Sequence, residues 1–205
     1  MTVRVVVGHG RALDEAFELA EQLQPGCMYI SLSSSDSYNF ELGLLCGSYS
    51  PQDTEVFVAL DERAVNYARQ KLIADIRLAG YQTYNLVSPN AVIEGNVRLM
   101  GNVHVGAGCN IAKDCVLGMG SWLDRQVILD HGVKLGHCVT LRPGVVLANH
   151  VQIGSGSTLG AGTFAAPKSQ VGKYCEWLLG GKLPARLQDR SFFDALMPEG
   201  AHILT

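Results

Sequence analysis

The sequence predicts an α/β N-terminal subdomain, then an all-β parallel solenoid of hexapeptide repeats, then a short C-terminal tail. Three observations carry that fold class. From Ile93 to Val171 an aliphatic residue recurs every six positions without slip: Ile93, Leu99, Val105, Ile111, Leu117 and so on through Leu159, with only Ala165 small. Four residues after each rung lies a second ladder of small side chains, including Val97, Val103, Cys109, Cys115, Ser121, Val127, Ser157 and Thr163. The first 85 residues lack this period and alternate apolar strands with amphipathic helices. Neither an α-helix nor a single long strand has a six-residue repeat.

Such a repeat belongs to solenoids in which each hexapeptide is one short strand and one corner, three of them closing a triangular coil. Residues eighteen apart in sequence therefore become neighbours, about 4.8 Å apart across paired strands. The position after each rung is often Gly or Ala, as at Gly106, Gly118, Gly136, Gly154 and Gly160, which suits tight backbone turns.

The N-terminal domain is placed at residues 1–85, the solenoid at 86–174 and the tail at 175–205. Residues 3–7 read as a buried parallel strand and Gly8-His9-Gly10 as the turn after it. Leu13, Ala16, Phe17, Ala20 and Leu23 mark one face of a helix stopped by Pro25-Gly26. A strand is expected near residues 27–32 and another at 55–60, with Asp61 placed to cap a helix carrying Val65, Ala68, Leu72, Ile76 and Ala79 and ended by Gly80. Residues 33–47 follow no pattern. In the tail, Phe192, Phe193, Leu196 and Met197 predict a short helix.

A formal charge of −3 gives no basic surplus for nucleic acid. Arg4 breaks the opening apolar run, so no signal peptide is expected, and no apolar run reaches membrane-spanning length. A cytoplasmic location is expected. Cys109 and Cys115 lie on the inner ladder as small buried fillers, not as a disulfide framework.

Three stretches carry a resemblance. They are Leu86-Val87-Ser88-Pro89-Asn90-Ala91-Val92-Ile93, then His131-Gly132-Val133-Lys134-Leu135-Gly136 continued through Leu141-Arg142-Pro143-Gly144 to Gly154, and last Leu183-Pro184-Ala185-Arg186. In these the chain resembles the left-handed parallel β-helix acyltransferases, and among them the bacterial sialic-acid O-acetyltransferases and nucleotide-amino-sugar N-acetyltransferases. The resemblance implies left-handed coils, a handedness the repeat itself does not supply. It also implies a homotrimer, acetyl-coenzyme A as co-substrate, and a sugar or nucleotide-sugar acceptor acylated on an amine or hydroxyl. By the same resemblance the first domain is Rossmann-like, with Gly8, His9 and Gly10 at the nucleotide sugar. The coenzyme arm would meet Ala148, Gly160 and Ala161, and its phosphates would meet Lys173, Lys182 and Arg186.

Acyl transfer needs a base near the nucleophile and donors for the oxyanion. Of six histidines, His131 matches the family's active-site corner and is expected to be that base. Coil arithmetic sets Asn149 eighteen residues ahead of it and Lys113 eighteen behind. Relatives place Asp or Glu directly after this histidine, where the chain has Gly132. Asp130 and Asp124 are the candidates to replace that carboxylate, with Asn149 to hold the ring or the acceptor.

Two other classes stay open. One is a zinc enzyme resembling the γ-class carbonic anhydrases, invited by His131 and His137. These fall on successive corners, a full face apart, so they cannot share a metal within one chain, and no metal site is expected. The other is a non-catalytic solenoid that binds a nucleotide sugar.

Overall fold

The computed structural model describes residues 2–61 and 65–203 and divides into two compact units, Met1–Leu86 and Val87–Thr205. In the first, β1 (Val3–Gly8), β2 (Met28–Ser31), β3 (Thr54–Ala59) and β4 (Gln82–Thr83) form a parallel sheet in the order β2-β1-β3-β4. Helices α1 (Gly10–Leu23), α2 (Gly43–Ser48) and α3 (Tyr67–Leu78) make the crossovers. Val5, Val6 and Val7 of β1 and Val56, Phe57 and Val58 of β3 are completely buried, which is why both central strands read as unbroken apolar runs. Leu23, expected on the buried face of α1, is exposed at its last turn. Beyond it the Glu21 carboxylate accepts the N–H groups of Gly26 and Cys27 at 3.0 and 3.1 Å.

Two expectations here are corrected. Asp61 does not cap the third helix, because α3 begins at Tyr67 after Asn66 in the left-handed region. The patternless stretch holds α2, too short at six residues to display a period.

In the second unit the chain winds as a parallel β-helix with three faces. The first runs from Val92–Ile93 through Ile128–Leu129 to Gly181–Lys182, and the second from Arg98–Leu99 through Lys134–Leu135 to Arg186–Leu187. The third includes His104–Val105, Trp122–Leu123, Thr140–Leu141 and Thr158–Leu159. Register pairs such as Leu117↔Leu135 and Leu135↔Ile153 are eighteen residues apart. The rungs from Val105 to Val171 are buried, and the small-residue ladder packs inside with them. Four of its polar members are satisfied there: Cys109, Cys115, Ser121 and Ser157 donate to the carbonyls of Asp124, Asp130, Gly136 and Gly172, whereas the buried Ser169 hydroxyl finds no partner among the described residues.

A residue of positive φ also recurs every six positions, at Asn96, Asn102, Gly108, Asp114, Gly120, Gln126, Gly132, Cys138, Gly144 and His150 and on. The glycines after the rungs have a separate cause. A Cβ on Gly118 or Gly154 would overlap the carbonyl of the next coil's glycine, Gly136 or Gly172.

The solenoid continues past residue 174. Its rungs become Trp177, Leu183 and Leu187, all buried. The pair Val171↔Leu187 is sixteen apart where Ile153↔Val171 is eighteen, so the last turn is two residues short, between Lys182 and Arg186. The helix expected in the tail does not form. Ser191–Phe193 is a strand paired with Glu176–Trp177, and Ala201–His202 adds to it antiparallel. Phe193 packs on Trp177 with ring centroids 5.1 Å apart. The Asp194 carboxylate accepts the N–H groups of Leu196 and Met197 in a turn that leaves Leu196 exposed.

Candidate active site

His131 lies on the corner between Ile128–Leu129 and Lys134–Leu135. Its backbone N–H donates to Oδ1 of Asp130 at 2.7 Å and its ring Nδ1 meets the same oxygen at 2.9 Å. A carboxylate oxygen only accepts, so Nδ1 carries the proton and Nε2 keeps its lone pair. The Asp130 carboxyl is held below its ordinary value, first by the His131 N–H and then by the His131 ring, with the Asn149 backbone adding to them. Asp130 thus stays ionised and faces the imidazolium that forms when Nε2 takes a proton. Both side chains are about half exposed, open to an acceptor.

Asn149 and Ala148 share this corner one coil on, where the His150 N–H donates to the His131 carbonyl at 3.0 Å. Asp124 does not join them within the chain. It follows Trp122–Leu123 on the preceding corner, accepts the Trp122 indole N–H at 3.0 Å and pairs with Arg142 at 3.5 Å. Trp122 in turn stacks on His104 at 4.0 Å between centroids. His137 sits on the following corner, its Nδ1 accepting the Met119 N–H at 3.2 Å. Among the described residues no group of three or more His, Cys, Asp or Glu side chains could hold a metal ion.

Of the residues expected at the coenzyme, Lys173 and Arg186 line one groove of about 520 Å³ on the second face. It is also lined by Lys134, Gln152 and Gln170, which sequence reasoning missed. Their signal was available, since each stands one position before a rung and points outward. Arg186 donates to Gln170 Oε1 at 2.9 Å. Lys182 belongs to the first face, and Gly160 and Ala161 to the corner after Thr158–Leu159. None of those three lines the groove.

In the first unit, Gly8-His9-Gly10 joins β1 to α1, beside the end of β3. A Cβ on Gly8 would overlap the Ala59 carbonyl, and the His9 N–H donates to that oxygen at 3.2 Å. The chain leaves β1 toward β2 on one side and reaches β3 on the other, and nucleotides bind at such switch points. Asp36 is occupied within its own loop, where two backbone N–H groups and the Asn39 amide hold its carboxyl down to about 2.

No protein-family model matches the chain and no curated protein matches it in sequence. Solved structures do. PerB from Caulobacter crescentus, in complex with CoA and GDP-perosamine, is 26% identical over 94% of this chain and 93% of its own, with a TM-score of 0.75. The chain shares the fold of a hexapeptide-repeat acetyltransferase. Its β-helix is therefore left-handed. A histidine-to-asparagine variant of the perosamine N-acetyltransferase from the same organism, with the same ligands, matches at 24% identity over the same shares of both chains, with a TM-score of 0.78. The acetyltransferase domain of PglB from Neisseria gonorrhoeae, in complex with acetyl coenzyme A, shares the fold at 21% identity over 94% of this chain and 96% of its own, with a TM-score of 0.65.

Proposed function

We propose that the protein moves the acetyl group of acetyl-coenzyme A onto the amine of a nucleotide-linked amino sugar, with His131 as general base. The observation that carries this reading is the His131–Asp130 pair on an open corner of the fold shared with PerB, whose structure holds CoA and a nucleotide amino sugar. The histidine replaced in the perosamine N-acetyltransferase variants fits a histidine base. As the acceptor nitrogen attacks the thioester carbonyl, Nε2 takes its proton, and Asp130 stabilises the resulting imidazolium through Nδ1–H. The proton then leaves with the departing thiolate, so the base is regenerated.

Asn149, one strand spacing from His131, is assigned to hold the acceptor or the ring. Lys173 and Arg186, together with Lys134, offer cations to coenzyme phosphates in the second-face groove, and Ala148 lies in the corner of the base. The first unit selects the nucleotide sugar at Gly8, His9 and Gly10. We place the reaction in the cytoplasm, where acetyl-coenzyme A and nucleotide sugars are supplied.

A homotrimer is proposed as well. Outward residues Ile128, Val146 and Phe164 are neighbours in successive coils and form an apolar run on the first face, with Ile128 and Phe164 46% and 41% exposed, suited to burial around a threefold axis. Sedimentation should give a trimer, and an active monomer would remove that assignment. For the chemistry, release of free thiol from acetyl-coenzyme A is measured with a panel of nucleotide amino sugars and sialic-acid-like acceptors. Thiol release that depends on an amino sugar supports the reading, and no acceptor-dependent release by the intact protein overturns it.

A further inference from the structure

The corner of His131 holds a second imidazole that the proposed mechanism leaves idle. His150 stands eighteen residues after Gly132, so the two residues are stacked in neighbouring coils. Both lie in the left-handed region, at φ 70° and 58°. Gly132 has no side chain, and a Cβ built there would come within 2.8 Å of His150 Cε1 and nearer still to Nδ1. The His150 ring therefore fills the volume that any side chain at 132 would need. It also meets the His131 ring edge-on, with centroids 5.0 Å apart and planes at 81°, an attractive geometry for aromatic rings.

We propose that His150 is a positioning residue for the base, taking the place of the side chain that Gly132 lacks. The inference rests on the reading of His131 as general base. Asp130 fixes Nδ1, but one hydrogen bond between two half-exposed side chains leaves the ring free to swing about its Cα–Cβ bond. The imidazole of His150 stands against that swing and keeps Nε2 turned toward the acceptor. Gly132 and His150 form one device: the glycine makes room, and the ring one coil away occupies it.

The test uses the full chain. His150→Gly removes the ring without strain, because glycine accepts φ 58° freely, so loss of fold does not confuse the result. Turnover should fall about tenfold while KM for acetyl-coenzyme A stays unchanged, the expected signature of a misaligned reacting group. His150→Phe keeps an edge-on ring and should recover most of that loss. NMR supplies a readout independent of activity, since the His131 ring protons should shift in His150→Gly as the neighbouring ring current disappears. Unchanged His131 resonances in that variant overturn the proposal. So does full turnover by His150→Gly when His131→Ala is inactive. An active His131→Ala enzyme would instead overturn the general-base reading, and the NMR comparison would still decide whether the two rings pair.

Discussion

His131 and His137 occupy the same place in successive repeats, each two residues past a buried rung, yet their rings face opposite chemistry. His131 donates its Nδ1 proton to the Asp130 carboxylate, which leaves Nε2 basic and steadies the positive charge it gains. His137 uses Nδ1 to accept the Met119 N–H, so its proton sits on Nε2 and its only open lone pair is already engaged. One residue accounts for the difference. Asp130 precedes the first histidine and Gly136 the second, and the Gly136 corner has no room for a side chain because a Cβ there would overlap Ser155 of the next coil. Position in a repeat therefore does not define a base. The residue before it decides which nitrogen is free.

The strongest way to break this comparison is His131→Ala, for which turnover should fall by about 10²–10⁴ while coenzyme affinity, measured by calorimetry, stays the same. An alanine variant within a few fold of wild type would erase the distinction between the two corners. Asp130→Asn comes next. Its amide oxygen can still accept from Nδ1 but no longer stabilises an imidazolium, and a loss of about 10–100-fold is expected, the scale seen for carboxylates that orient metal-bound histidines. Steady-state rates at saturating acceptor would read it, and wild-type turnover would assign Asp130 to the corner turn alone.

Acid gives a smaller, graded effect. The Asp130 carboxyl is depressed below 3.8 in the folded protein, so its contribution to stability is complete above that value and is lost as pH falls through the depressed one. Acid titration of thermal stability should show Asp130→Asn losing its difference from wild type only at the lowest pH. A difference that vanished near neutrality would contradict the assignment. Smallest of all is His137→Ala, which should stay within about twofold in turnover and lose about 0.5–1.5 kcal/mol of stability with the Met119 hydrogen bond.

The β-helix was legible because its period is a count. Rungs from Ile93 to Val171 announce themselves, and their spacing alone places Asn149 beside His131. The count failed at two points for physical reasons. At Trp177 the rung changes from branched aliphatic to aromatic, and between Lys182 and Arg186 two residues are missing, so Leu187 and Phe193 no longer fall on the six-residue series. Phe192 and Phe193 next to Leu196 and Met197 then resemble a helical face, although Trp177 draws Phe193 into a strand. The positive-φ column was invisible for the opposite reason. Its residues range from Gly and Asn to Gln, Cys, His, Lys and Tyr, because what the corner repeats is a backbone conformation and not one kind of side chain. Asp130 was legible as a neighbour in sequence, whereas His150 needed coordinates, since nothing in the letters says that the space beside Gly132 is filled from the next coil.

The eighteen-residue register also makes the solenoid an addressing system. An insertion of eighteen residues ahead of His131 would slide the base along the axis by one strand spacing, about 4.8 Å, and keep it on its own corner. A six-residue insertion would carry it round to the next corner and a different set of neighbours. A two-residue change satisfies neither rule, and the one this chain contains lies in the last turns, where few coils follow that would have to stay in phase. Variation in length is therefore quantised for this protein. Chains that differ by whole coils can keep the same chemistry at a different height, and chains that differ by single repeats must rebuild it.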